Sequence, residues 1–127
     1  MTRKAGSTNQ APPPAGPYSQ SVRVGGVVVC AGQGGATPDG VMLDGVAAQT
    51  EQCLANVLAT LAASGATEQD IVKVNVYLTD VAHFGAMNEV YARTFSEPFP
   101  VRTTVYVTLP SDMLIEVDAI AMTGASS

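Results

Sequence analysis

The chain has 127 residues, a length that fits one domain with a hydrophobic core. Its net charge is −5 and its six basic residues are scattered. This argues against a nucleic-acid partner, because binding to phosphates depends on clustered Lys and Arg. Charged residues make up 13% of the chain and hydrophobic residues 46%, which leaves little polar surface and suggests that some surface is hidden in an oligomer.

The cysteine and histidine content limits which disulfide and metal chemistry the chain can have. Cys30 and Cys53 fall in apolar runs, and with one histidine and no C-x-x-C there is no metal-ligand pattern. We therefore predict free buried thiols, no metal and no cofactor. No apolar stretch approaches the roughly 20 residues needed to cross a bilayer, and no secretory signal is evident. The default expectation is a cytoplasmic protein with no membrane partner.

The N-terminal third of the chain is predicted to contain a tail, two strands and a loop. Residues 1–15 are polar and proline-rich, which predicts a disordered tail before a single domain at 16–122. Residues 18–24 and 27–31 predict strands joined at Gly25-Gly26. Residues 32–45 predict a glycine-rich loop with room for a short strand at 41–43, and residues 123–127 a frayed end.

Two helices are predicted, at 46–64 and 81–96, around a strand at 71–79. Gly65 is a candidate C′ residue for the first helix, and Asp80 is a candidate cap for the second. Apolar positions at helical spacing support both helices. These positions are Val46, Thr50, Cys53, Leu54, Val57, Leu58 and Leu61 in the first, and Phe84, Met87, Tyr91 and Phe95 in the second.

Two final strands, at 102–109 and 114–122, contain Arg102 and Glu116 among apolar residues. Such charges are costly inside strands unless each has a partner. One interpretation pairs Arg102 and Glu116 with each other, or with Asp118, as structural ions. In the other, the planar fork of Arg102 binds the carboxylate of a ligand.

The predicted element order is β-β-(β)-α-β-α-β-β, so two helices can cover only one face of the sheet. We expect the other face to mix polar with apolar side chains and to associate with another copy through that face or along the sheet edges. The polar residues expected there are Asn75, Tyr77, Arg102, Tyr106, Glu116 and Asp118.

Four segments together resemble one known family. They are Gly16-Pro17-Tyr18-Ser19-Gln20, Gln49-Thr50 with Leu54 and Asn56, Asn88-Glu89-Val90-Tyr91, and the R-x-x-V, L-P and I-E-V-D-A-I-A pattern within 102–121. In this order they are similar to the RidA family of YjgF-like reactive-intermediate deaminases, over roughly residues 16–122. The resemblance implies a chorismate-mutase-like α+β fold, with two helices on one face of a mixed sheet. It also implies a homotrimer with clefts between subunits.

The resemblance also implies roles for individual residues. Arg102 would hold the carboxylate of the substrate and Glu116 would orient the attacking water. Tyr18 would line the cleft from the subunit next to the one that supplies Arg102. Gly32, Asn88 and Thr104 would complete the substrate-binding set. Structural alternatives stay open for most of these: Tyr18 packing on the core, Asn88 bracing a loop, Gly32 ending a strand, and Glu116 holding a neighbouring strand or subunit.

The implied function is a cofactor-independent hydrolytic deaminase of short 2-imino or 2-enamino acids, of the 2-aminoacrylate type. The products would be 2-keto acids and ammonia. Three departures bear on the substrate: Ala31 stands where typical relatives have Ser, Thr104 where many have Cys, and the loop Gly34-Gly35-Ala36-Thr37 is smaller than the usual apolar-Pro-Asp turn. Two alternatives remain: a pathway-specific enamine deaminase of the aminomuconate or aminoacrylate type, and a non-catalytic ligand-sensing or chaperone-like trimer.

Overall fold

The computed structural model describes residues 2–124. Most of the predicted frayed end at 123–127 therefore lies outside the described residues. The sheet strands are β1 (Lys4–Gly6), β2 (Ser21–Val24), β3 (Val27–Cys30), β4 (Ile71–Leu78), β5 (Val101–Tyr106) and β6 (Ile115–Met122). The helices are α1 (Val46–Ala62) and α2 (Phe84–Thr94), each close to its predicted range.

The six strands form one sheet in the order β1-β2-β3-β6-β4-β5. Only β4 and β5 run parallel, and α2 makes the crossover between them. The α+β fold, with two helices on one face of a mixed sheet, is confirmed.

The core lies between the sheet and the two helices. Alternate residues of β4 and β6 are fully buried there, as period-2 strands with one covered face require. They pack with the apolar stripes of both helices, which contribute Leu54, Val57, Leu61, Met87 and Tyr91 among others. No helix within residues 2–124 is long and apolar enough to span a membrane.

The predicted helix boundaries have physical causes that the structure shows. Gly65 follows α1 with a φ of 87°, a conformation that glycine adopts without strain. Before α2, residues Val81–His83 form a 3₁₀ turn, and the carboxylate of Asp80 accepts a hydrogen bond from Ala82 N at 2.8 Å. The predicted cap is therefore confirmed, although the α-helix proper begins at Phe84.

The prediction of a disordered tail at 1–15 does not match the structure. Residues 4–6 form β1, which pairs antiparallel with β2. The side chain of Gln20, almost fully buried, accepts from Thr8 N at 2.8 Å and donates to the carbonyl oxygens of Thr8 and Pro12. The order of this polar segment comes from a glutamine later in the chain, which local composition does not reveal.

Candidate functional site

Two separate clefts contain five of the six site residues predicted from the sequence, and Thr104 lines neither of them. The arginine cleft lies between α2 and β5, has a volume of about 390 Å³, and is lined by Asn88, Tyr91, Ala92, Phe99, Pro100 and Arg102. The glutamate cleft has a volume of about 560 Å³. Its lining includes Tyr18, Ala31, Gly32, Gln33, Met113 and Glu116.

Arg102 projects from β5 against α2. Its Nη1 donates to Asn88 Oδ1 at 2.8 Å, and its guanidinium carbon lies 4.6 Å from the centre of the Tyr91 ring and 5.5 Å from that of Phe84. Among residues 2–124 the one salt bridge joins Arg93 and Glu51, so no carboxylate in this part of the chain pairs with Arg102. The structural-ion interpretation of Arg102 is therefore wrong within one subunit.

Asp118, the other candidate ion partner, is occupied by its neighbours on β4. Asn75 Nδ2 donates to Asp118 Oδ1 at 2.7 Å, and the hydroxyl of Tyr77 donates to Oδ2 at 3.1 Å. Desolvation, and then the contact with Asp118, raises the pKa of Tyr77, which keeps the phenol protonated as a donor. These three residues lie on the face without helices, as predicted.

Glu116 lies in the glutamate cleft beside Gly32. A Cβ added to Gly32 would overlap the carboxylate of Glu116, so the glycine leaves the space that this carboxylate occupies. Gln33 and Val117 exchange two backbone hydrogen bonds of 2.8 and 2.9 Å, which hold the glycine loop against β6. Burial, and then the nearby charge of Asp118, raises the pKa of Glu116, as suits a group that accepts a proton.

Buried polar side chains of α1 fix the loop that carries Gly32. Asn56 Nδ2 donates to the carbonyl oxygens of Gly34 and Ala36 at 3.1 and 2.8 Å. The thiol of Cys53 donates to Gln33 O at 2.9 Å. Gln49 Nε2 donates to Leu43 O and Asp112 O, and its Oε1 accepts from Leu114 N, so it ties both sides of the cleft to α1.

Both cysteines are free and buried, as predicted. Burial raises the pKa of Cys30 to about 11 and that of Cys53 further, so neither is a thiolate at neutral pH.

Tyr18 lies at the rim of the glutamate cleft with about half of its surface exposed. Its hydroxyl oxygen accepts a hydrogen bond from Ala15 N at 3.0 Å, which leaves the phenolic hydrogen free to donate. Pro12, Pro13 and Ala15 also line this cleft. The segment expected to be a disordered tail therefore forms one wall of the candidate site.

Arg102 and Glu116 lie on opposite faces of the sheet. Arg102 pairs in register with the fully buried Val74 and so points to the helix side, whereas Glu116 pairs with Tyr77 on the open side. The prediction that Arg102 shares the open face with Glu116 is wrong. The same holds for Tyr106, which is in register with the buried Leu78.

The structure thus divides the predicted residues into two groups. Tyr18, Gly32 and Glu116 line the glutamate cleft, and Asn88 and Arg102 line the arginine cleft. Thr104 lies two residues after Arg102 on the same strand face. Sequence reasoning did not assign Phe84 and Tyr91 to Arg102, although their spacing of four and three residues from Asn88 on one helix could have indicated it.

Comparisons with known proteins match nearly the whole length of this chain. A family model described as Endoribonuclease L-PSP matches residues 8–123. A RutC family protein of Pyrococcus abyssi is 44% identical over 124 residues, covering 95% of this chain and 98% of that protein. A protein of Dermatophagoides farinae named 2-iminobutanoate/2-iminopropanoate deaminase is 38% identical over 119 residues, covering 91% of this chain and 93% of that protein. The crystal structure of E. coli TdcF with bound serine matches with a TM-score of 0.90 at 35% identity, covering 95% of this chain and 99% of that one.

Proposed function

This chain belongs to the RidA family of YjgF-like proteins, and we propose that it is a cofactor-independent hydrolase that removes ammonia from short 2-imino and 2-enamino acids. The family supports the broader class of reactive-intermediate deaminase. We propose imines and enamines of the 2-aminoacrylate type as its substrates. A cytoplasmic location stays a prediction.

In this reaction the protein needs only to position the substrate and a water molecule and to supply charged groups beside them. Water adds to the imine carbon, both of its protons pass in turn from oxygen to nitrogen, and the C–N bond breaks to give the 2-keto acid and ammonia. Arg102 would bind the carboxylate through two parallel N–H donors. Glu116 would accept each proton that leaves the attacking oxygen and pass it to the departing nitrogen.

The observation that carries this proposal is the uncompensated guanidinium of Arg102. A cation held at a cleft, with no carboxylate partner among residues 2–124, is suited to an anionic ligand. The names of relatives agree with such a ligand. One is called a 2-iminobutanoate/2-iminopropanoate deaminase, and another was solved with serine, an amino acid that carries a carboxylate.

The proposal also requires two copies of the chain. β5 and β6 are separated by β4, a distance of about 10 Å across the sheet, and Arg102 and Glu116 point away from each other. A short imino acid cannot contact both within one subunit. We therefore propose a homotrimer in which the arginine cleft of one subunit faces the glutamate cleft of the next.

A second candidate is an enamine deaminase for a larger substrate. It is favoured by the size of the glutamate cleft, about 560 Å³, where Ala31 and Gly34 supply little side-chain volume. Comparing kcat/KM for 2-iminopropanoate with that for a six-carbon imino acid separates the two candidates. A preference for the longer substrate favours the second.

The test of the proposed function is hydrolysis of an imine generated by an amino-acid oxidase, followed as keto-acid formation. Replacing Arg102 by Ala should lower kcat/KM by about 30-fold to several thousand-fold, or roughly 2–5 kcal/mol, because a bidentate charged pair is lost. Arg102→Lys should recover little of this, since an ammonium lacks the planar fork. Arg93→Gln, at an exposed salt bridge, is the matched control. Near-wild-type turnover by Arg102→Ala would contradict the proposal.

A further inference from the structure

Three uncharged side chains of α2 surround the guanidinium of Arg102. Asn88 accepts its Nη1 hydrogen bond at 2.8 Å, and the ring centres of Tyr91 and Phe84 lie 4.6 and 5.5 Å from its central carbon. Phe84, Asn88 and Tyr91 follow each other at spacings of four and three residues, so they form one stripe along the helix. We call these three residues the α2 cradle.

The cradle attracts a cation without neutralising it. Aromatic faces attract a guanidinium through their quadrupoles, and an amide oxygen accepts one hydrogen bond, but none of the three carries a charge. An aspartate at the place of Asn88 would hold Arg102 more strongly and would also occupy it. The chain thus uses the weaker kind of contact at the point where it holds an unpaired cation.

Tyr91 is well placed to orient its neighbour because it is itself fixed. Its side chain is about 95% buried, and its ring centre lies 4.4 Å from that of Phe95. Burial raises the pKa of its phenol to about 12, so the hydroxyl is neutral at physiological pH. A rigid, neutral ring therefore backs the guanidinium.

We propose that Phe84, Asn88 and Tyr91 are positioning residues that orient the guanidinium of Arg102 and leave its charge free for the carboxylate of the ligand. This inference rests on the proposed function. Because Asn88 accepts one of the two Nη1 hydrogens, the edge formed by Nε and Nη2 is the one that keeps both of its donors for the two carboxylate oxygens. The cradle therefore sets the direction from which the carboxylate approaches.

The decisive variant is Asn88→Asp, which keeps the shape of the side chain and adds a competing carboxylate. We expect the KM for 2-iminobutanoate and the Kd for the product analogue 2-oxobutanoate, measured by calorimetry, to rise about tenfold or more. The rise should exceed that of Asn88→Ala, while the thermal unfolding temperature stays at or above that of the wild type. A residue that only braced Arg102 would tolerate Asp, because the contact is kept. Arg93→Gln makes the same change in net charge on the same helix and is the control.

A second pair of variants tests the aromatic part. Tyr91→Phe keeps the ring face and should bind 2-oxobutanoate within about twofold of the wild type. Tyr91→Leu loses the ring and should weaken binding by about 2- to 30-fold, the range expected for a lost cation–π contact. Equal affinities of the Phe and Leu variants would overturn the aromatic part of the cradle. Should Tyr91→Leu fail to fold, Phe84→Leu at a partly exposed site replaces it.

Failure of the inference differs from failure of the proposed function. If the wild type hydrolyses imines and Asn88→Asp binds 2-oxobutanoate as tightly as the wild type, the cradle is overturned and the deaminase proposal stands. If the wild type binds 2-oxobutanoate, Asn88→Asp weakens this binding and neither protein hydrolyses imines, the cradle is supported and the deaminase proposal is contradicted. A wild type that neither binds nor hydrolyses contradicts both.

Discussion

At Gly32 the missing side chain decides where a carboxylate can lie. The position that a Cβ would take overlaps the end of the Glu116 side chain, and that end is flexible. A substitution there therefore displaces the carboxylate and leaves the backbone of the sheet in place. Function and stability can be separated at this residue.

Gly32→Ala should lower kcat/KM substantially, by about tenfold or more, because a proton acceptor displaced by a methyl group no longer lies within hydrogen-bond reach of the water. The free energy of unfolding should change by less than about 1 kcal/mol, since an exposed glycine gains only a methyl group. Gly85→Ala, whose Cβ meets nothing within 4 Å, is the control and should keep full activity. Wild-type turnover by Gly32→Ala would argue against any role for the Glu116 carboxylate.

The raised pKa of Glu116 predicts an acid limb in the pH dependence of kcat/KM. In the proposed mechanism activity needs the deprotonated carboxylate, so it should fall as the pH drops through a value above the pKa of an ordinary glutamate. Asp118→Asn removes the nearby charge that contributes to the shift, so the limb should move to lower pH. A pH–rate profile of both proteins measures this, and a limb that stays in place or moves to higher pH would count against the assignment.

The same shift has a consequence for stability. Since the pKa of Glu116 is raised by folding, the folded state favours the protonated form. The contribution to stability is therefore largest at low pH and is lost as the pH rises through the unfolded and then the folded pKa. Glu116→Gln should abolish activity while its thermal unfolding temperature at pH 7 equals or exceeds that of the wild type.

At the scale of elements, α1 does more than cover the sheet. Its buried Gln49, Cys53 and Asn56 make side-chain hydrogen bonds to backbone groups of the loops around the glutamate cleft. Polar residues in the buried stripe of a helix are costly without partners, so these side chains and those loops stabilise each other. The loops are thereby held to a rigid element.

Asn56→Ala should lower the free energy of unfolding by about 1–3 kcal/mol, because the carbonyl oxygens of Gly34 and Ala36 lose their donor in a buried site. Denaturant unfolding measures the change. Ala55→Gly, at an exposed position of the same helix, is the comparison and should cost at most about 1 kcal/mol through helix propensity alone. An Asn56→Ala variant as stable as the wild type would mean that the loops do not depend on α1.

Strand and helix positions could be predicted from the sequence because periodicity follows from backbone geometry. The face to which Arg102 points could not. Alternation makes the side of β5 with Val101 and Val105 the more apolar one and so predicts it as the covered side. In this edge strand the polar side with Arg102 faces α2 instead. The order of residues 4–15 was also missed, because it depends on pairing with β2 and on the buried side chain of Gln20.

At the scale of the whole molecule, one subunit divides the residues of the proposed site between two clefts. The lining of the arginine cleft includes Arg102 but no carboxylate side chain that could accept a proton. The lining of the glutamate cleft includes Glu116 but not Arg102. The open face also exposes Val27, Val29 and Val105, which favours contact with another copy. The family resemblance implies a cleft shared between two subunits. The opposite directions of Arg102 and Glu116 supply a physical reason for it, because one subunit cannot bring both side chains to one ligand.

The central claim is that each complete site combines Arg102 of one copy with Glu116 of another. Arg102→Ala and Glu116→Gln proteins, each nearly inactive alone, should regain about a quarter of wild-type activity when unfolded and refolded together in equal amounts. Each cleft takes Arg102 from one subunit and Glu116 from its neighbour, and each of these residues is intact in about half of the subunits. About one cleft in four therefore receives both intact residues, whatever the number of subunits in the ring. Native mass spectrometry identifies the mixed trimers. Mixed trimers without recovered activity, or a fully active monomer, would contradict the account.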